Sequence, residues 1–155
     1  MCLRSETLGE WSILSPEILP NKSPLTSQSL FSIKSIMGLT YVNVSIANPS
    51  NLKRARKKKL LADSGALYSI VPKEVLRAIG IRPYGSGTFT LADGSTIRRQ
   101  VGNAFLQIDG RQALTPVIFG EKGDGSLLGE IALESLGFSI HPRTGKLRSA
   151  PLLLM

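Results

Sequence analysis

The sequence has few of the residues on which many enzymes and secreted proteins depend. Its 155 residues include one cysteine, Cys2, and one histidine, His141. A single cysteine cannot form an internal disulfide, and without a cluster of cysteine and histidine residues a structural zinc site or a histidine-based catalytic triad is excluded. The sequence therefore predicts no metal and no cofactor, and a structural role for His141.

Long apolar runs are also missing. The N-terminus lacks the apolar core of a signal peptide, and no segment approaches the about 18 apolar residues of a membrane-spanning helix. We expect a cytoplasmic protein that does not enter a membrane. A chain of 155 residues suits one compact domain, so machinery that needs two similar lobes would require two chains.

Acidic residues are scarce relative to basic ones: 11 against 19, for a net charge of +8. Six of the positive charges fall within seven positions, at Lys53, Arg54, Arg56, Lys57, Lys58 and Lys59. Such a cluster can attract phosphates, so a basic nucleic-acid-binding protein is one alternative function. The run contains no aromatic residue that could stack on bases, which favours a solvated hairpin between two strands.

The chain divides into two parts by composition. Residues 1–36 contain eight serines and three prolines with no sustained apolar period, and we expect an N-terminal extension, flexible or loosely docked. A more regular pattern begins at Met37, so residues 37–155 form the predicted domain. Both Met1 and Met37 remain candidate start positions.

From Thr40 onwards the pattern is that of a β protein. Apolar residues alternate with polar ones up to Ile46, and the segment from Lys59 to Ala62 is expected to return as the next strand. Two further hairpins are predicted around Asp93-Gly94 and Asp109-Gly110, because Asp-Gly suits the positive φ angles of a two-residue type I′ turn.

Two short helices are expected among the strands. The first begins near Pro72 and ends at Gly80, and the second begins near Glu130 and ends at Gly137. The sequences of the two helices are related, and each follows an apolar strand and a glycine turn. The chain therefore contains two copies of a strand–turn–helix segment, and only the first copy carries an acid in its turn.

That acid is Asp63, in Asp63-Ser64-Gly65. The apolar segments on both sides would surround the carboxylate with apolar groups, which disfavours its charged form, while Gly65 allows backbone N–H groups to approach and donate to it. These opposed effects can tune an acid, so Asp63 is the candidate catalytic residue. Ser64 as a nucleophile is the competing hypothesis, but it has no neighbouring base.

Taken together, these motifs resemble the retroviral-type (retropepsin-like) aspartic proteases, and more closely their small prokaryotic branch. The resemblance extends from Met37 to the C-terminus. It rests on Leu60-Leu61-Ala62-Asp63-Ser64-Gly65-Ala66, Val71-Pro72, Leu76-x-x-Ile79-Gly80-Ile81, Leu91-Ala92-Asp93-Gly94, Leu127-Leu128-Gly129 and Leu133-Glu134-x-Leu136-Gly137. Two departures are Ala62, where the family usually has a larger β-branched residue, and Ser64, which replaces the commoner threonine.

The resemblance implies a mostly β fold: a closed acid-protease-like barrel with two short helices and a flap hairpin. It also implies an aspartic-type endopeptidase, a hydrolase that acts on a peptide or protein substrate as a homodimer. One Asp63 from each chain would share a proton and activate a water. The remaining implied site residues are Ser64, Gly65 and Ala66 as active-site support, and Leu91, Ala92, Asp93 and Gly94 of the flap as substrate contacts.

Two further expectations concern alternatives and assembly. The same fold could serve as a catalytically silent dimeric module that binds a peptide or protein. The apolar C-terminus from Pro151 to Met155 would form an intersubunit strand, as retropepsin-like dimers do near their termini.

Overall fold

The computed structural model describes residues 39–151. The expected N-terminal extension, residues 1–36, lies outside the described residues, as does the C-terminal segment 152–155. The described chain is mostly β with two short helices, as the sequence predicts. Its elements are β1 (Thr40–Asn48), β2 (Asn51–Ala62), β3 (Ser69–Pro72), α1 (Lys73–Ala78), β4 (Gly85–Thr90), β5 (Thr96–Ile108), β6 (Arg111–Gly120), β7 (Leu127–Leu128), α2 (Glu130–Ser135), β8 (Phe138–Ile140) and β9 (Leu147–Ser149).

Seven strands form one sheet in the order β1-β2-β7-β3-β6-β5-β4. An additional pairing joins β1 to β5, so that six of the strands form a continuous ring and β4 projects from it as the partner of β5. The β8–β9 hairpin is a separate two-stranded sheet. The long strand β5 therefore belongs both to the ring and to the projecting β4–β5 hairpin.

The first hairpin is longer than the sequence suggests. The alternation in β1 is confirmed, because Val44 and Ile46 are buried while their neighbours are more exposed. The returning strand β2 begins at Asn51 rather than at Lys59, so the basic run lies within a strand and not in the connection. The basic residues pair with β1: Lys58 lies opposite Val44, and Arg56 lies opposite Ile46.

The two Asp-Gly sequences form different turns. At Asp109-Gly110 both residues have positive φ, 49° and 81°, as a two-residue type I′ turn requires. At the other hairpin only Gly94 has a positive φ, and its N–H donates to the Leu91 carbonyl. Five residues, 91–95, connect β4 to β5 here, and the expectation of a two-residue type I′ turn was wrong.

Both helices pack against the hydrophobic core. Their predicted ends are confirmed, since Gly80 and Gly137 follow the helices with φ of 82° and 74°. Leu76 of α1 and Leu133 of α2 are buried in a core with the inward side chains of the ring. Within residues 39–151, neither helix has the length and apolar character needed to cross a bilayer.

Candidate active site

The Asp63 turn follows directly from β2. The backbone N–H of Asp63 donates to the Leu128 carbonyl at 3.0 Å, and its carbonyl accepts from the N–H of Ala66 at 3.2 Å. The side-chain Oδ1 accepts the N–H of Gly65 at 2.8 Å. The carboxylate is half-buried, and its Oδ2 has no hydrogen-bond partner among residues 39–151.

The second strand–turn–helix segment of the same chain, which contains β7, Gly129 and α2, contacts this turn and supports it. β7 pairs in parallel with the end of β2, with Leu127 opposite Leu61 and Leu128 opposite Ala62. At the start of α2, the N–H groups of Glu130 and Ile131 donate to the carbonyls of the residues that follow the Asp63 turn, at 2.8 and 3.1 Å. The first N–H groups of a helix have no partner within the helix, so here they bind the loop that follows the Asp63 turn instead.

Gly129 lies where the two strand–turn–helix segments of the chain approach each other closely. A Cβ atom at this position would lie 2.5 Å from the carbonyl carbon of Tyr68 and 2.6 Å from its oxygen, so only glycine fits. The N–H of Gly129 donates to the hydroxyl of buried Ser69 at 3.0 Å. Sequence reasoning missed Ser69, because it lies sixty positions from its partner and no local pattern connects them.

A cavity of about 500 Å³ lies between the Asp63 turn and the β4–β5 hairpin. Of the site residues expected from the sequence, five line it: Asp63, Gly65, Ala66, Leu91 and Ala92. Ser64, Asp93 and Gly94 do not line it. Among the residues not expected are Tyr68, Phe89 and Ile97, whose side chains make the walls mostly apolar.

The tip of the β4–β5 hairpin is fixed by its own side chains. Oδ1 of Asp93 accepts both the backbone N–H and the hydroxyl of Ser95, at 2.9 and 2.6 Å. The hydrogen bond from the Ser95 hydroxyl, followed by the one from its N–H, lowers the pKa of Asp93. Asp93 therefore shapes the loop, whereas Leu91 and Ala92 face the cavity.

An ion pair at the cavity wall joins the hairpin to the loop before β7. Arg99 of β5 donates from Nε to Oδ2 of Asp124 at 2.7 Å and from Nη2 to Oδ1 at 3.0 Å. Oδ2 of Asp124 also accepts the N–H of Glu121 at 2.7 Å. The hydrogen bond from Arg99 lowers the pKa of Asp124, and the same bond raises that of Arg99. Sequence reasoning did not identify this pair.

Other candidate chemistry is sparse in the described part of the chain. Residues 39–151 contain no group of three or more His, Cys, Asp or Glu side chains placed to hold a metal ion. Ser64 is exposed, and its hydroxyl makes no hydrogen bond within these residues. Nδ1 of His141 accepts the N–H groups of Arg143 and Thr144 at 3.3 Å, which organises the turn before β9.

The fold is similar to those of solved proteases. The EIAV protease complexed with the inhibitor HBY-793 matches with a TM-score of 0.53 at 18% identity, over 76% of this chain and 94% of that one. The simian foamy virus (mac) protease has a TM-score of 0.41 and 22% identity, over 61% of this chain and 92% of that one. A retropepsin-like aspartic protease from Rickettsia conorii has a TM-score of 0.41 and 25% identity, over 67% and 85%.

No protein-family model and no curated protein matches the sequence. The similarity to the EIAV protease shows that the chain has a retropepsin-like fold, which the sequence motifs imply.

Proposed function

We propose that the protein is an aspartic endopeptidase whose active site is completed by a second copy of the chain. The observation that carries the proposal is the number of available carboxylates in the cavity. Two aspartates line it, Asp63 and Asp124, and both oxygens of Asp124 are bonded to Arg99. One chain therefore offers a single carboxylate to a bound substrate, whereas activation of a water by this chemistry needs two.

In the proposed dimer, the two Asp63 side chains face each other. Two carboxylates about 3 Å apart cannot both be ionised, so the pair holds one proton. The ionised Asp63 takes a proton from a water molecule, and the protonated one donates a hydrogen bond to the scissile carbonyl. The water attacks the carbonyl carbon without a covalent enzyme intermediate, and the tetrahedral intermediate collapses when its C–N bond breaks and the leaving amine takes a proton from the carboxyl pair. We expect the rate to be highest at mildly acidic pH.

Other residues of the site have supporting roles in this proposal. The exposed hydroxyl of Ser64 is free to bond to the partner's backbone, as the family resemblance implies. Gly65 orients the Asp63 carboxylate through its N–H, and Ala66 forms the rim. The β4–β5 hairpin acts as the flap, with Leu91 and Ala92 against an extended peptide that pairs by main-chain hydrogen bonds.

The first experiment compares Asp63→Asn with Asp109→Asn. Both changes remove one negative charge, but Asp109 lies in the distant type I′ turn, where its positive φ suits asparagine. Digestion of a peptide mixture between pH 4 and 7 should show cleavage by the wild type and by Asp109→Asn, and none by Asp63→Asn. Identical product maps for all three proteins would contradict the proposal.

A mixing experiment tests whether the site is shared. Wild-type and Asp63→Asn chains are mixed in varying proportions at a constant total chain concentration and allowed to exchange. In a shared site every mixed dimer is inactive, so activity falls with the square of the wild-type fraction. Activity that stays proportional to the wild-type fraction would place the site within one chain. Peptide binding without any turnover would favour the silent binding module of the same fold.

A further inference from the structure

The strongest charge feature of the molecule lies outside the cavity. Residues 53–59 of β2, here called the basic strand, carry six positive charges. The pairing strand β1 has no charged residue, and the sequence contains no acid between Glu17 and Asp63. The two ion pairs formed within residues 39–151 involve other parts of the chain. Over these residues, the charges of the basic strand repel one another without compensation.

The basic strand also has an open edge. One edge of β2 pairs with β1 along its length, while the other pairs with β7 only at Leu61 and Ala62. Among the described residues, no strand covers the edge beside the six cations. Lysines on such an edge prevent unwanted strand pairing, and this alone would explain some of them. It does not explain the arrangement at the start of the strand.

At that end, Arg54 reaches into a polar groove of about 570 Å³, here called the Tyr84 groove. Its lining residues are Asn48, Pro49, Ser50, Asn51, Arg54, Gly80, Ile81, Arg82, Tyr84 and Asn103. The guanidinium of Arg54 packs against the turn after α1, where a Cβ atom on Gly80 would lie 2.9 Å from its Nη1 and 3.2 Å from Nδ2 of Asn48. Arg54 is thus held against the wall of the groove.

The groove supplies the aromatic residue that the basic run lacks in sequence. Tyr84 is 67% exposed, although its backbone is fixed by a hydrogen bond from its N–H to the Val101 carbonyl at 2.9 Å. Arg82, also exposed, lines the same groove. An exposed aromatic ring on a fixed backbone, in a groove that Arg54 and Arg82 also line and that adjoins the cations on the same face of β2, is the combination that binds unpaired bases and their phosphates.

We propose that the basic strand and the Tyr84 groove form a binding surface for single-stranded nucleic acid. Arg54, Arg56 and Lys58, which share one face of the strand over about 14 Å, contact successive phosphates, while Lys57 and Lys59 project from the other face. A base stacks on Tyr84, with Arg54 and Arg82 on either side of the neighbouring phosphate. A duplex hides its base faces in the stack, so it can use the phosphate contacts but not Tyr84. The surface is separate from the catalytic cavity, which Tyr84 does not line.

The decisive test removes the aromatic ring. Binding of a fluorescent oligouridine of about 12 nucleotides is measured by anisotropy for the full chain, Tyr84→Ala and Tyr41→Ala. Tyr41 is a matched control, because it is 55% exposed but lies on β1 outside the groove. We expect Tyr84→Ala to weaken binding of the single strand about tenfold or more, and Tyr41→Ala to leave it unchanged. Neither change should affect a duplex of the same length.

The second test examines the cations. Arg56→Gln combined with Lys58→Gln, on the face of β2 that adjoins the groove, should weaken binding and reduce the slope of log K against log salt concentration by about 1.4, since each phosphate contact to a single strand contributes about 0.7. Arg143→Gln combined with Arg148→Gln removes the same charge from the β8–β9 hairpin and should leave the slope unchanged.

Three results would overturn the proposal: no binding at low salt, equal effects of Tyr84→Ala and Tyr41→Ala, or equally effective competition by polyglutamate. The last result would identify an acidic polypeptide as the partner instead. The outcome is independent of proteolysis, because Asp63→Asn should bind the oligonucleotide like the wild type even though it cleaves nothing.

Discussion

The two segments that are related in sequence differ in structure: α2 follows the Gly129 turn directly, whereas the strand β3 lies between the Asp63 turn and α1. Ala62 and Leu128 lie opposite each other in parallel strands, so Asp63 and Gly129 occupy equivalent positions in the two turns. The first turn is exposed and presents a carboxylate to the cavity. The second is buried, and its N–H groups bind Ser69 and the carbonyls after the first turn.

In the proposed enzyme, this difference separates presentation of the Asp63 carboxylate from support of its turn. A turn that holds a carboxylate at a cavity wall cannot also be packed on all sides, because the proposed substrate would have to reach it. The supporting contacts therefore come from the second copy, where the absence of a side chain at Gly129 permits the close approach. Changes in the two turns should accordingly have different effects: loss of folding in one and loss of turnover in the other.

The largest effect is expected for Gly129→Ala. The new Cβ atom would meet backbone atoms of Leu67 and Tyr68 at 2.5 to 2.8 Å, and backbone cannot rotate away as a side chain can. We expect the free energy of unfolding to fall by about 3 kcal/mol or more, measured by urea denaturation. Gly125→Ala is the control, since its nearest contact is at 3.8 Å. Equal stability of the two variants would refute the supporting role of the second turn.

Gly65→Ala should affect turnover and spare the fold. Its Cβ atom would lie 3.1 Å from Oδ1 of Asp63, so the carboxylate must shift by a few tenths of an ångström. We expect turnover to fall about tenfold to 100-fold, because small displacements of a reacting group are costly, with little change in the urea midpoint. A variant that loses stability and activity in parallel would show that Gly65 has a structural role like that of Gly129.

Asp124→Asn tests the connection between the loop before β7 and the β4–β5 hairpin. The change removes the charge that binds Arg99, whose side chain is 19% exposed, and should lower the free energy of unfolding by about 2 kcal/mol near neutral pH. Because the pKa of Asp124 is lowered in the folded state, its contribution is complete above the ordinary value of 3.8 and is lost as the pH falls through the folded value.

The difference between wild type and Asp124→Asn should therefore be constant from pH 7 to mildly acidic pH and shrink only below about 3.8. Urea denaturation at several pH values measures this. Asp93→Asn is a useful comparison, because the pKa of Asp93 is also lowered but its partner Ser95 is uncharged. A difference that disappears already at pH 5 would contradict the assignment to Asp124.

The smallest effects are expected at the glycines that end the two helices. Gly80→Ala and Gly137→Ala each place a side chain at a positive φ, which costs about 1 to 2 kcal/mol. Gly137→Ala should cost more, because its Cβ atom would lie 2.6 Å from Nη1 of Arg111, which bonds to the carbonyls of Leu136 and Gly137. Equal urea midpoints would mean that Arg111 moves aside freely.

The structural features that depend on neighbouring residues could be predicted from the sequence. The β1 alternation, the two helix ends and the turn at Asp109-Gly110 depend on neighbouring residues, and the structure contains all of them. The loop at Asp93-Gly94 differs because the side chain of Asp93 bonds to Ser95 and stabilises a longer connection. Local composition alone does not distinguish the two loops.

The contacts that organise the candidate site could not be predicted from such local patterns. The bond between Ser69 and Gly129 and the pair between Arg99 and Asp124 join residues that are far apart in sequence and become neighbours only when the strands assemble. The same is true of Tyr84 and Arg54, which belong to separate segments until the turn after α1 packs beside β2. The charged and aromatic residues can be counted in the sequence, but the sequence does not show which of them become neighbours in the fold.

The lack of room at Gly129 also limits how the molecule could be redesigned. Installing an aspartate there would not produce a self-sufficient single-chain form, because the added atoms would collide with the Tyr68 carbonyl before they could take part in chemistry. A tandem fusion of two complete units is the route that keeps every existing contact.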